Sequence, residues 1–513
     1  MLKKWLPSLI GLSLFAMTGR LLGFVREILM AAKFGATETT DAYLTSLIIF
    51  DIAVAANTSV IAGTLSHLGG NLHGSNLHRL YKSGLKIFGI FFAASLILFP
   101  AFNFSIPLIF ERSGEVQSII VYSLQLFLFL SVFLIVSGIF SALLQANGNV
   151  TNPGRLIIFL NVFSVASLLA FGGVFGILSI PAGLLAGGLL FFIYQIFLIK
   201  KLTNENKTEQ IEAAGYSMLP WLVSILLIFG NLLMPSVSGL VERYFAYSFT
   251  EGTFSHYLYS QKIMMLPLTI LSYAISFSLL PFQTKLAAEK NMKEFFRVTN
   301  NGIIISILTS CLFALIFFAL SGEIVRIIYE HGSFHAHDRV ETSYALQIIS
   351  LGMIPFLITP VTANIFYSFK RIKVLILINL FFVVLQFFTL TFFAKNYSGI
   401  EALTFSWVTV TWLNTITQFV YLFVKRKILF EKEDVYRIAG VLLLTLLLII
   451  FTENVFSGEQ NIDTALPEVL LSFVLKAGTL TIIFSSFVSA LFFKRIKNIF
   501  SSIKKLRKTE NSR

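Results

Sequence analysis

A single cysteine, Cys311, stands in 513 residues. It excludes an intrachain disulfide and any metal site built from several thiolates. Charge is scarce as well: 13% of residues are Asp, Glu, Lys or Arg, where a soluble globular chain carries roughly 25%. That scarcity excludes a water-soluble domain. No phosphate-cradling Gly loop and no nucleophile motif occur, so neither a nucleotide-driven machine nor a hydrolase is supported. The expected class is a protein that is not an enzyme. No cleavable leader is expected either. Lys3 and Lys4 precede an apolar run from Trp5 to Met17, but no small-x-small site follows, and the run continues past Arg20 to Ala32. The first segment reads as a retained membrane helix with its N-terminus in the cytoplasm.

What is present is apolar length. Hydrophobic residues make up 56% of the chain, the mean hydropathy is +0.81, and the apolar runs reach about 20 residues, enough to cross a bilayer core. These runs predict an all-α polytopic membrane protein of about 14 spans, the first over 6–32 and the last over 467–493. With both termini inside, about 29 Lys and Arg fall in inner segments against about 5 in outer ones, a strong positive-inside asymmetry. The outer loop 453–468 holds four acids and no Lys or Arg. The net charge of +13 is therefore spread over alternate loops, and no nucleic-acid partner is expected. The polar stretch "KKLTNENKTEQIEAAG" divides the first 12 spans into two sixes. The expected organisation is an N-terminal lobe (1–200), a cytoplasmic linker (201–216), a C-terminal lobe (217–425), two further helices (426–493) and a basic tail (494–513). Six plus six is the layout of duplicated transporter halves. "GFVREILMAAKFG" and "GLVERYFAYSFTEG", ending spans one and seven, share an acid–base pair and a following Gly turn.

Several charges do not fit the loops: Arg20, Arg26, Glu27, Asp51, Glu242, Arg243, Lys262 and Lys476. Ionisable groups inside a membrane face a water-filled cavity or one another. At 1.5 Å per residue, Arg20 stands about 21 Å and Arg26 about 30 Å above the inner face. Arg243 and Lys262 fall in the same outer half. A cavity lined by cations suits an anion, and arginine suits phosphate through forked, charge-assisted hydrogen bonds. On a straight helix Arg20, Gly23 and Glu27 share a face while Arg26 points roughly 120° away. A bend at Gly23 would bring both arginines to one cavity. The structural alternative stays open: Arg20 with Glu27, Glu242 with Arg243 and Arg26 with Asp41 are candidate ion pairs, and Lys476 reads as structural or snorkelling. "EHGSFHAHD" (330–338) carries three histidines and two acids, a weak metal signal of a kind that is more often a solvated loop. The histidines within 67–78 read as loop. No bound metal and no cofactor are expected. With no nucleotide motif, the energy source is expected to be the membrane potential or a coupling monovalent ion, with Asp51 and Glu242 as candidate carriers.

The stretches "GRLLGFVRE" and "FGATETTDAY" resemble the first-helix signature S-R-x-L-G-F-x-R-[DE] and the following F-G-A…T-D-A-[FY] turn of the MurJ (MviN) family of lipid II flippases. That family sits in the multidrug/oligosaccharidyl-lipid/polysaccharide exporter superfamily. "VERYFAYSFTEGTFSHYLYSQKIMMLP", "IYEHGSFHAHDRVETSYALQIISLGMIPF" and "IFYSFKRIKVLI" are similar, in order, to further family motifs, so the resemblance covers nearly the whole chain. It implies a V-shaped, two-lobed carrier of an undecaprenyl-pyrophosphate-linked glycan, moved from inner to outer leaflet by alternating access in the bacterial cytoplasmic membrane. It implies that Arg20 and Arg26 engage the pyrophosphate, that Asp41 belongs to an outer gate, and that Lys262 stands where the family usually has an arginine. It also implies that helices near 436–493 form a groove for the lipid tail. The expected partners are the lipid-linked substrate and membrane lipids, and the expected state is a monomer. One departure stands out: in "IIFDIAVAANTSV" the position of the family's helix-two arginine is Val54, and Asp51 is the only charge. The substrate is thus lipid II or, as the alternative, another lipid-linked saccharide such as an exopolysaccharide or O-antigen unit.

Overall fold

The computed structural model describes residues 2–68, 74–104, 114–205, 218–424, 430, 432–456 and 465–510. Most of the 201–216 linker, part of the 67–78 histidine stretch, the Lys425–Lys427 run and residues 457–464 of the acidic loop lie outside them. Among the described residues the regular structure is helical throughout. In chain order the helices are α1 (Leu2–Phe34), α2 (Glu38–Leu68), α3 (Gly74–Leu98), α4 (Gly114–Ala146), α5 (Asn152–Phe171), α6 (Ser179–Glu205), α7 (Met218–Leu232), α8 (Met234–Ala246), α9 (Thr253–Ser272), α10 (Ser278–Ala288), α11 (Met292–Ala319), α12 (Ser321–Tyr329), α13 (Ala336–Ser350), α14 (Met353–Ser368), α15 (Ile372–Asn396), α16 (Gly399–Val424), α17 (Lys432–Phe456) and α18 (Leu466–Glu510).

Among the described residues eleven helices are long and apolar enough to cross a membrane, and the figure is 13 if two bent pairs each count as one span. The pairs are Leu219–Leu232 with Met234–Ala246, bent by 43°, and Ala336–Ser350 with Met353–Ser368, bent by 45°. The first bend precedes Pro235, and the second lies at Gly352, just before Pro355, residues that interrupt a helix ladder. Pro360, by contrast, sits inside an unbroken α14. Helix α1 is not in that figure: most side chains of its first half lie outside the described residues, and Arg20, Arg26, Glu27 and Lys33 stand in the remainder. Among the described residues the figure is therefore 11 to 13, where run lengths over the whole chain give about 14. α9 continues through a π-helical turn, Tyr273–Phe277, into α10, and the whole stretch, Thr253–Ala288, is long and apolar enough to cross as one span.

The chain forms two compact units. The first comprises Met1–Leu258, His331–His335 and Gln386–Ala394. In it α2 packs on α4, α7 and α8, α5 packs on α1 and α6, and α4 packs on α3 and α6. Lipid is as apolar as leucine, so close contact and interhelical hydrogen bonds drive this association. Two small-x-x-x-small pairs allow it. A Cβ on Gly183 or Gly187 of α6 would lie 2.6 Å from the carbonyl oxygens of Phe163 or Phe159 on α5. A Cβ on Gly19 of α1 would lie 2.7 Å from Ile157 of α5, and one on Gly23 would meet the Asn161 amide at 3.3 Å. The core between α2, α4, α6 and α7 holds Phe133, Phe140, Phe192 and Trp221, with Phe88 of α3 stacked on Phe192 at 4.9 Å.

The second unit comprises Tyr259–Glu330, Ala336–Leu385 and Lys395–Arg513. It is built on α11, which packs against α10, α13, α14, α17 and α18. Its polar ties are inside the helical mass. Thr362 of α14 donates to Gln418 of α16 at 2.6 Å, and Lys476 of α18 pairs with Glu323 of α12 at 3.1 Å. Arg326 and Arg339 both converge on Glu330, at 3.5 and 3.0 Å. Glu330, the first acid of the 330–338 stretch, is thus held by two arginines. No group of three or more His, Cys, Asp or Glu with metal-site geometry occurs among the described residues.

Candidate functional site

The first unit gathers seven of the eight predicted site residues. The turn between α1 and α2 returns the chain, so that Arg26 and Glu27 lie near the end of α1, Tyr43 near the start of α2 and Asp51 toward its middle. Arg26 and Glu27 are both buried. Arg26 Nη2 donates to Glu27 Oε1 at 2.6 Å, and Nη1 donates to Asn161 Oδ1 of α5 at 3.2 Å. Asn161 Nδ2 donates in turn to the Gly19 carbonyl at 2.9 Å. One amide therefore ties α1 to α5 at its backbone and at its charge. Gly23, expected to bend the helix, serves instead as the gap into which Asn161 fits, and α1 runs unbroken from Leu2 to Phe34. Tyr43 is fully buried, and both Tyr43 and Asp51 lie within electrostatic reach of Arg26. Arg26 Nε and the Tyr43 hydroxyl are buried without a hydrogen-bond partner among the described residues, so the cluster retains spare donors. Arg20, two turns below Arg26, is half-buried.

Arg243, expected as a neighbour of Glu242, reaches α2 instead. Its Nη2 pairs with Asp51 Oδ2 at 3.1 Å, its Nε donates to the Leu44 carbonyl at 3.3 Å, and its guanidinium lies 5.9 Å over the Phe254 ring. Asp51, which has no basic neighbour in sequence, gains one across 192 residues. Its side chain is 44% exposed while that of Arg243 is almost covered. The pair is thus open on the carboxylate side. Glu242 is buried and bonds elsewhere: Tyr257 Oη donates to its Oε1 at 3.1 Å and Gln386 Nε2 at 2.8 Å, with Ser238 Oγ donating to Gln386 Oε1. The Glu242–Arg243 ion pair considered from sequence is replaced by these contacts, because Arg243 reaches Asp51 of α2 while Glu242 is taken by Tyr257 and Gln386. The Arg26–Asp41 pair is likewise replaced. Asp41 instead accepts from the backbone N–H groups of Gly252 at 2.9 Å and Ser255 at 2.8 Å, at the start of α9. Those N–H groups lack partners inside their own helix, and a carboxylate is favoured there.

The turns around this cluster fit closely. Gly35 and Gly252 adopt positive φ (65° and 78°), which a side chain resists. A Cβ on Gly252 would stand 2.5 Å from the Ala36 carbonyl oxygen, and one on Gly35 would stand 2.6 Å from that of Ser333. Ser333 N donates to the Ala32 carbonyl at 2.8 Å, so segment 331–335 seats on the end of α1. Lys262 is half-buried on α9 and belongs to the second unit. Sequence reasoning missed Asn161, Tyr43, Tyr257 and Gln386. The signal for the amides was present: each is a lone Asn or Gln inside an apolar run, "IIFLNVF" and "FVVLQFF", and polar groups in such runs have partners.

A multi-span helical protein with arginines buried among its spans is a polytopic membrane protein in architecture, and its fold is shared with solved membrane transporters. The chain superposes with a TM-score of 0.63 on a structure titled as the inward-facing conformation of a multidrug resistance MATE family transporter of the MOP superfamily, with 12% identity over 83% of this chain and 95% of that one. It superposes with a TM-score of 0.74 on lipid II flippase MurJ in an inward closed conformation, with 18% identity over 95% of this chain and all of that one. The family model for lipid II flippase MurJ matches residues 76–491, and the chain belongs to that family. Among its relatives, the probable lipid II flippase MurJ of Buchnera aphidicola subsp. Acyrthosiphon pisum is 24% identical over 91% of this chain and 94% of its own length. That of Buchnera aphidicola subsp. Baizongia pistaciae is 25% identical over 76% and 78%, and the lipid II flippase MurJ of Burkholderia cenocepacia is 22% identical over 71% and 74%.

Proposed function

We propose that the chain moves an undecaprenyl-pyrophosphate-linked glycan, with lipid II as the first choice, from the inner to the outer leaflet of a bacterial cytoplasmic membrane. Both termini are cytoplasmic on this proposal, the protein works as a monomer, and access alternates between the two faces. The observation that carries it is the buried arginine cluster with donors to spare. Arg26 Nε and the Tyr43 hydroxyl have no acceptor among the described residues, and Arg243 is held beside them on a half-exposed carboxylate. A pyrophosphate supplies the missing acceptors, and guanidinium groups bind it through paired, charge-assisted bonds. Arg20, Arg26 and Arg243 are the proposed anion contacts, and Lys262 is a further proposed substrate contact by its motif position. Asp41 serves as the outer gate. Glu27 positions Arg26. Asp51 and Glu242 are the candidate carriers of a coupling ion, or sensors of the membrane potential.

A second substrate has one specific observation in its favour. Val54, at the position of the family's helix-two arginine, is exposed on α2, one turn beyond Asp51. The wall that carries a cation in relatives is neutral or acidic here, which suits a different headgroup beside the same pyrophosphate. Expression in bacteria depleted of their own lipid II flippase tests the first substrate: growth is expected. Failure to grow despite full membrane insertion, together with rescue of an O-antigen or capsule export mutant, gives the second. In whichever strain is rescued, Arg20→Ala and Arg26→Ala are expected to abolish rescue at unchanged membrane abundance. Normal rescue by both variants would contradict the anion site.

A further inference from the structure

The two turns that meet beside the cluster are built alike. Thr37 begins one, in "TETT", and Thr250 begins the other, in "TEGT". The Thr37 and Thr40 hydroxyls are 3.2 Å apart, and those of Thr250 and Thr253 are 2.9 Å apart. Each turn ends in a helix N-terminus with unsatisfied N–H groups, and each N-terminus receives its carboxylate from the other turn. Asp41 of α2 takes the N–H groups of Gly252 and Ser255, and also the Ser255 hydroxyl. In return Glu251, two residues before the start of α9, accepts from Glu38 N at the first residue of α2, at 3.0 Å. The backbones meet at Gly252, where an added Cβ would press on the Ala36 carbonyl oxygen.

We infer that Glu251 is the second arm of a crossed pair of helix caps, and that with Asp41 it sets how readily the α1–α2 and α8–α9 turns come apart. A helix usually takes its capping side chain from its own chain neighbours. That kind of cap is indifferent to tertiary motion. Here each cap exists only while the turns touch, so both carboxylates favour the closed arrangement and contribute nothing to the open one. The arms are unequal. Asp41 is half-buried and accepts three hydrogen bonds, whereas Glu251 is exposed and accepts one. Glu251 makes no other hydrogen bond or ion pair among the described residues, so its removal perturbs this contact alone. Asp41 is the main latch and Glu251 trims it. In the proposed transport cycle the separation of these turns opens the outer side, and the inference rests on that proposal only for what the opening serves.

The test is a distance measurement on the full chain in lipid nanodiscs. With Cys311→Ser as background, spin labels go on cysteines replacing Lys33, the last basic residue of α1, and Ser248, just past α8. Both positions are exposed. An exposed carboxylate at a helix N-terminus is worth a factor of about 2 to 5 in an equilibrium. Glu251→Ala is therefore expected to raise the ratio of long to short distances by about 2- to 5-fold. Glu251→Gln, which keeps an acceptor without the charge, should fall between. Asp41→Asn should raise the ratio further, and Glu251→Ala should multiply it again in that background, where the open fraction is largest. An unchanged distribution in Glu251→Ala, alone and with Asp41→Asn, would overturn the inference. So would a lower thermal stability with no shift in distance, which is what a local cap on α2 would produce. Failure of flippase rescue alongside the expected distance shifts would count against the proposed cargo and leave the latch standing.

Discussion

Asn161 offers the sharpest perturbation of the cluster, because one uncharged side chain joins α1 to α5 twice. In Asn161→Leu the volume is nearly kept, so the loss is polar. Two interhelical bonds go: the one to the Gly19 carbonyl at 2.9 Å and the one from Arg26 Nη1 at 3.2 Å. Interhelical hydrogen bonds in membrane proteins average about 0.6 kcal/mol and reach about 1.7. The Arg26 bond is charge-assisted, a class worth about 1.5 to 3 kcal/mol. Arg26 Nε already lacks a partner, so the variant leaves two guanidinium nitrogens buried without acceptors. The sum is a loss of roughly 2 to 4 kcal/mol in the stability of the first unit. Reversible unfolding of the purified protein by detergent titration would measure it. Transport should fall toward the level of Arg26→Ala, since Glu27 alone would then orient the guanidinium. A stability change under about 0.5 kcal/mol with normal transport would refute the assignment of Asn161 as the tie.

Gly187→Val should prevent accumulation of folded protein, because its Cβ would stand 2.6 Å from the Phe159 carbonyl oxygen. Gly230→Ala, with open space around its Cβ, should be neutral, and a protease-resistance assay on membranes distinguishes the two. For the α2–α8 pair, Arg243→Gln and Asp51→Asn are each expected to harm stability more than the double variant does, because each leaves a charge unpaired inside the membrane. A double-mutant cycle reads this coupling. Glu242→Gln keeps the shape that Tyr257 and Gln386 hold and removes the charge. It is expected to leave the fold intact and to make transport insensitive to ionophores; unchanged sensitivity would rule out Glu242 as an ion carrier.

The spans were legible because the bilayer sets their length. The run over 117–146 is α4, Gly114–Ala146, and the run over 400–424 is α16, Gly399–Val424. The buried charges were legible as a set, since few other residue types are so costly in a span. Their pairing was not legible. Arg243 and Asp51 lie 192 residues apart, and which of them a helix presents to which neighbour depends on packing that periodicity alone does not fix. Two glycines show the same limit. Gly23 reads as a hinge in sequence yet fills a close contact with Asn161, and Gly183 and Gly187 read as ordinary apolar composition yet set the approach of α6 to α5. Glu251 reads as one acid in an outer loop. Only the return of the chain at α2 turns it into a cap for a helix more than 200 residues earlier.

The most direct measurement follows lipid II itself. In cells depleted of their resident flippase and expressing this chain, the fraction of lipid II reachable from the outer face is assayed with an enzyme or label that cannot cross the membrane. Restoration of that fraction by the wild-type chain, and its loss in Arg26→Ala at equal membrane abundance, is the predicted result. Lipid II that stays on the inner face, in cells whose membranes contain the folded protein, would contradict it.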